Sequence, residues 1–168
     1  DGFKAVNDRL GHSAGDELLQ GVSARFGEVL SGADTLARFG GDEFAVLLEV
    51  RTDAGEVAQA LLGSLTEPFA FGHREMSVRA SIGVARVDLI DHTPTVDELL
   101  LSADLAMYVA KSRGGADVLV HTAGLQLDEV DAAALGRALA PARATNELPR
   151  ARPPPTAIPT PPPAAPAP

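Results

Sequence analysis

Two glycines directly followed by two carboxylates, Gly40-Gly41-Asp42-Glu43, interrupt the chain between a short run ending in Leu36-Ala37-Arg38 and the alternating run Phe44-Ala45-Val46-Leu47-Leu48-Glu49. A tight turn with alternating apolar residues beside it predicts a β-hairpin, with arms over 36–38 and 43–49 and the acids at its tip. Helical periodicity surrounds this hairpin. Phe3 to Leu10 reads as a short helix, and Ser13 is expected to cap a longer one. Leu18, Leu19, Val22, Phe26, Val29 and Leu30 recur at helical spacing on that longer helix. Val57, Leu61, Leu62 and Leu65 mark a further helix, and Met76 to Val87 alternates as a strand with Ser81-Ile82-Gly83-Val84 at its centre. Thr95 and Glu98 form a capping box ahead of a helix over Leu99 to Lys111, and Asp117 to His121 reads as a short strand. Helices intermixed with an antiparallel hairpin predict an α+β sandwich, a mostly antiparallel central sheet flanked by helices.

The tip of the hairpin also has chemistry. Glycine allows a backbone to approach a phosphate closely and to adopt positive φ. Adjacent carboxylates supply the hard oxygen ligands that magnesium prefers. Together they point to nucleotide chemistry, although Gly-Gly-Asp is a good turn in its own right. The net charge of −9 offers no broad basic face, which argues against nucleic-acid polymers and anionic membranes as partners. There is no cysteine, so neither a disulfide nor a thiolate metal site exists, in keeping with a cytoplasmic domain. No apolar stretch reaches transmembrane length. His73, His92 and His121 show no ligand-like spacing.

Composition divides the 168 residues into three parts. Residues 1–122 are globular in character; 123–140 read as a linker with a helix over Leu127 to Leu139; 141–168 form a Pro/Ala-rich tail expected to be extended or disordered. The chain opens on Asp1 without Met and is expected to be a fragment.

The hairpin run resembles the signature of the GGDEF-domain diguanylate cyclases, and four further stretches match that family in order and spacing. These are Asp1-Gly2-Phe3-Lys4-Ala5-Val6-Asn7-Asp8, Gly11-His12-Ser13-Ala14-Gly15-Asp16, Ala80-Ser81-Ile82-Gly83-Val84-Ala85, and Ala103-Asp104-Leu105-Ala106-Met107-Tyr108-Val109-Ala110-Lys111. The resemblance covers residues 1 to about 121. It implies condensation of two GTP molecules into cyclic di-GMP by an antiparallel homodimer, with Mg2+ or Mn2+ on each nucleotide. It assigns Asp42 and Glu43 to metal binding and catalysis, and Gly40 and Gly41 to the backbone along the phosphates. Asn7 and Asp16 match the guanine-reading positions, an amide that donates and accepts beside a carboxylate that accepts. Phe3 and Lys4 match the loop over the phosphates, with Lys4 a third catalytic residue through its positive charge, Lys111 a phosphate-binding lysine, Arg38 a basic position near the site, and His12 a neighbouring contact.

Departures from the family pattern carry expectations too. The family's other metal-binding aspartate would fall two residues before Asp1, off this chain with most of the first strand, so the fragment alone is expected to be inactive and poorly stable. The arginine of the family's product-inhibition site is replaced by Ser31, three residues before Asp34, and Gly115 stands where a basic residue is usual. An attached sensor or EAL phosphodiesterase domain is expected in the larger protein. The competing readings are a GTP-binding module without catalysis that regulates an attached domain, and a purely structural role.

Overall fold

A computed structural model describes residues 1–49, 53–71, 74–122 and 125. Helix α1 (Phe3–Leu10) hands over to α2 (His12–Val29) through the single residue Gly11, at φ 86°. That hand-over corrects the expected cap. Ser13 lies inside the first turn of α2, Gly11 occupies the cap position, and no side chain caps the helix. A residue that ends one helix and starts the next in one step leaves no room for a separate capping residue.

The hairpin forms as expected, β1 (Thr35–Gly40) pairing antiparallel with β2 (Glu43–Leu47). Helix α3 (Ala54–Ser64) starts at Asp53, whose carboxylate accepts from the Gly55 backbone at 2.7 Å. A second antiparallel pair joins β3 (Phe69–Phe71) to β4 (Arg74–Met76). Strand β5 (Ile82–Val84) pairs in parallel with β6 (Val118–Val120), and α4 (Val96–Ser112) makes the crossover between them. The parallel ladder extends by one bond at each end: Ile82 N donates to Asp117 O at 2.9 Å, and His121 N to Val84 O at 2.7 Å. The expected capping box is present, with Thr95 N donating to Glu98 at 2.7 Å and Glu98 N to the Thr95 hydroxyl at 3.3 Å.

The α+β architecture is as expected, and among the described residues its strands form three two-stranded pairs. The strand expected over 76–87 is shorter. It ends as β4 at Met76, resumes at Ile82, and gives way to a 3-10 turn at Val87–Leu89. Alternation persists between, but a strand also needs a ladder partner, and residues 77–81 pair with no strand among the described residues. The linker helix and the Pro/Ala-rich tail lie outside the described residues.

The main core joins α1, α2, α3 and β3 through Val6, Leu18, Val22, Phe26, Leu61, Leu65 and Phe69. Burying each of these contributes about 1.5–3 kcal/mol. Phe44 of the hairpin packs edge-on to Phe26, centroids 5.8 Å apart, so the hairpin is anchored to α2. Arg25 closes the far side of this core. It donates to the backbone carbonyls of Ser64, Glu67 and Pro68 and lies 3.8 Å over the Phe69 ring. A second contact seats α4 directly on β5. A Cβ built on Gly83 would come within 1.9 Å of the Ala103 carbonyl oxygen, so only glycine allows this approach.

Candidate functional site

The hairpin tip is built by a register shift. Arg38 pairs with Phe44 and Gly40 with Glu43, which leaves Phe39 as an extra residue, 54% exposed. Gly41 then turns at φ 52°, in open space. Its carbonyl accepts from Arg38 Nε at 3.0 Å. Asp42 and Glu43 are both exposed at the end of this turn.

Helix α4 and the start of the chain face the same tip. Asp104 and Lys111, seven residues apart, fall on one side of α4. Burial raises the Asp104 carboxyl above its ordinary pKa, the charge of Glu43 raises it further, and Lys111 works against both. Glu43 and Asp104 therefore sense one another across the gap between hairpin and helix. Lys111 Nζ stands 3.9 Å from Asp1 Oδ1. Asp1 Oδ2 accepts from the Ser81 hydroxyl at 2.7 Å, and Ser81 Oγ in turn accepts from Ala116 N at 3.3 Å. The Asp1 backbone nitrogen donates to Arg79 O at 2.7 Å. Lys111 thus links the Asp1 carboxylate to Asp104, and Asp104 in turn feels the charge of Glu43 at the hairpin tip.

The remaining expected residues gather on α1 and α2. Asn7 packs against Gly15 so closely that a Cβ there would lie 1.9 Å from Asn7 Oδ1 and 3.0 Å from Phe3 Cζ. This contact sets Asn7 beside the turn that bears Asp16. Asn7 Oδ1 is buried and accepts no hydrogen bond from the described residues, a costly state for a carbonyl oxygen. Lys4, His12 and Asp16 are exposed, with His12 and Asp16 one helical turn apart. Asp16 lies beyond the first turn of α2, which carries no acid, so helix capping does not account for it. Among the described residues no hydrogen bond or ion pair joins this group to the hairpin cluster.

Among the described residues, no three His, Cys, Asp or Glu side chains are grouped to hold a metal by themselves. The donor set still suits magnesium, which binds through one or two carboxylates and completes its shell with phosphate oxygens and water. Asp42 and Glu43 are such a pair, exposed and adjacent. Sequence reasoning assigned no role to Asp104, Asp1 or Ser81. The seven-residue interval between Asp104 and Lys111 on an expected helix was the available signal for the first. The other two stand in stretches matched to the family, but their contact is not visible locally, because Asp1 and Ser81 meet across 80 residues of chain.

The family model described as diguanylate cyclase, GGDEF domain, matches residues 1–117. MucR of Pseudomonas aeruginosa, named a bifunctional diguanylate cyclase/cyclic di-GMP phosphodiesterase, is 43% identical over 116 residues, covering 68% of this chain and 17% of that protein. The chain thus spans under a fifth of that relative's length. The solved GGDEF domain of TpbB from Pseudomonas aeruginosa superposes with a TM-score of 0.68 at 35% identity, covering 74% of each chain. An EAL/GGDEF domain protein from M. capsulatus gives 0.66 at 40% identity, covering 73% of this chain and 79% of the other. Among the described residues no helix is long and apolar enough to cross a membrane. Fold, motif order and the family match agree, and the chain belongs to the GGDEF domain family of diguanylate cyclases.

Proposed function

We propose that this domain condenses two GTP molecules into cyclic di-GMP with release of two pyrophosphates. The observation that carries the reading is the intact glycine turn, with Asp42 and Glu43 exposed at its tip and the charge of Glu43 felt by Asp104 on α4. Degenerate, non-catalytic modules commonly lose these acids, and here both are present. Two such domains, each holding one GTP, would face each other as an antiparallel homodimer. The 3′ oxygen of one nucleotide then attacks the α-phosphorus of the other, and pyrophosphate leaves; the second linkage forms the same way.

Asp42 and Glu43 would hold Mg2+ or Mn2+. Such an ion neutralises triphosphate charge and favours ionisation of the attacking hydroxyl. The chain's own contribution is positioning and electrostatics. Asn7 and Asp16 would read the guanine edge, with His12 beside them. Phe3 and Lys4 would cover the phosphates, the Gly40-Gly41 backbone would lie along them, and Lys111 and Arg38 would supply positive charge. The domain would work on the cytoplasmic side, within a larger protein that carries a sensor or an EAL domain. The M. capsulatus EAL/GGDEF relative supports the EAL arrangement, and the bifunctional name of MucR supports a phosphodiesterase beside the cyclase.

The test is cyclic di-GMP formation from GTP and Mg2+ by the full-length protein and its Asp42→Ala variant. Product that falls by about 100-fold or more in the variant supports a cyclase with Asp42 in its site. A folded protein that binds GTP without turnover would favour the regulatory module.

A further inference from the structure

The turn that carries Asp42 and Glu43 is the part of this hairpin with the least intrinsic rigidity. Two adjacent glycines have the widest backbone freedom of any residue pair. No side-chain packing surrounds either, since a Cβ on Gly40 or Gly41 would find nothing within 4 Å. Packing therefore does not fix the tip. The register shift between Arg38 and Gly40 interrupts the ladder just before it. Yet the acids need a defined position, because a metal or phosphate site is effective only when its ligands are held in place beforehand.

One side chain supplies the restraint. Arg38 Nε donates to the Gly41 carbonyl at 3.0 Å, bridging the shifted segment from the strand to the turn. The bond uses Nε and leaves both Nη groups without a hydrogen-bond partner among the described residues. A guanidinium can do this because its donors lie in a rigid fork; a lysine ammonium offers a single nitrogen on a longer stem. From this geometry we infer that Arg38 is a positioning residue for the acidic turn, holding the Gly41 carbonyl through Nε and so setting where Asp42 and Glu43 project. The inference rests on the cyclase reading only for its consequence in catalysis; the restraint on the turn is independent of it.

Two substitutions separate the hydrogen bond from the charge. In Arg38→Gln the amide nitrogen is attached to Cδ, as Nε is in arginine, so the donor is kept and the charge removed. In Arg38→Lys the charge is kept and the Cδ-attached donor lost. Both are compared with Arg38→Ala in two measurements. The first is backbone 15N relaxation of Gly41, Asp42 and Glu43 in the 168-residue chain without ligand. The second is the Mg2+ concentration giving half-maximal cyclic di-GMP formation by the full-length protein.

In the parent the turn amides should show order parameters near the rigid-backbone value of about 0.85, falling toward about 0.6 in Arg38→Ala and Arg38→Lys and recovering in Arg38→Gln. Half-saturating Mg2+ should rise about tenfold in Ala and Lys and stay within about threefold in Gln. Recovery by Lys but not Gln would overturn the inference and make Arg38 a charge on the triphosphate alone. Order parameters unchanged in all three variants would overturn it as well. If the turn loosens as described but the parent makes no cyclic di-GMP, the positioning role stands and the cyclase reading falls.

Discussion

Gly15 and Asn7 touch across the α1–α2 junction with no space between them, a Cβ on Gly15 falling 1.9 Å from Asn7 Oδ1. Gly15→Ala must therefore push the Asn7 side chain, and with it the Phe3 ring, out of place. Overpacking of this kind costs about 1–3 kcal/mol. Alanine returns about 1 kcal/mol of helix propensity. The net loss of stability is small, but the displaced amide is the one proposed to read guanine. GTP affinity is expected to fall about tenfold, measured by titration calorimetry, while the melting temperature changes by a few degrees. Unaltered GTP affinity would remove Asn7 from the guanine site.

Gly83 is the opposite case. Its would-be Cβ lies 1.9 Å from the Ala103 carbonyl oxygen and 2.4 Å from the Met107 nitrogen, both backbone atoms of α4. A helix backbone cannot swing aside as a side chain does. Gly83→Ala is expected to destabilise the domain by about 3 kcal/mol or more, read from urea unfolding. A loss below about 1 kcal/mol would mean that α4 can slide on β5 at little cost.

The different responses of these two glycines show what a sequence discloses. The hairpin was legible because paired glycines and acids stand between alternating apolar runs, and α4 because Thr95 and Glu98 announce its start. The buried face of α2 was legible from the spacing of Leu18, Val22 and Phe26. The end of the strand near Met76 was not, since alternation continues and only the lack of a ladder partner stops it. The start of α2 was misread because a capping serine and a left-handed glycine compete for the same junction, and Gly11 wins. In the site, motif matching identified the acids of the turn. It could not disclose the bond from Arg38 to Gly41, which spans the register shift at Phe39.

Asp104 makes a prediction about pH. Burial first, and Glu43 second, hold its folded-state pKa above the ordinary 3.8. A carboxyl with a raised folded pKa favours the folded state most fully below its unfolded pKa. That contribution is lost as pH rises through the folded value. At pH 7 the ionised Asp104 is therefore a liability to the metal-free domain. Asp104→Asn is expected to raise the melting temperature at pH 7, with the gap closing as pH falls toward 4. Thermal denaturation in the presence of a chelator measures this. A lower melting temperature at pH 7 would show that the charge of Asp104 is held by Lys111 more strongly than Glu43 repels it.

Ser31 and Asp34 bear on how the enzyme would be controlled. Asp34 Oδ2 accepts from the Ser31 hydroxyl at 2.7 Å and from the Ser31 backbone at 2.9 Å, and Oδ1 from Glu49 N at 3.3 Å. The Ser31 bonds hold the Asp34 carboxyl below its ordinary pKa. Their stabilising contribution is present above the unfolded pKa of 3.8 and is lost as pH falls through the lower folded value. The carboxylate thus closes a local turn against Glu49, just past the end of β2. Serine also cannot supply the bidentate fork that arginine offers to a phosphate. Cyclic di-GMP is expected to exert no product inhibition here, and Asp34→Ala to leave the progress curve of GTP consumption unchanged in shape at pH 7. Replacing serine by arginine, Ser31→Arg, restores the fork but places it where Asp34 is already bonded to the neighbouring backbone. Inhibition is then expected to appear only weakly. A parent enzyme that slows as cyclic di-GMP accumulates, and an Asp34→Ala variant that does not, would show that this turn opens to bind product.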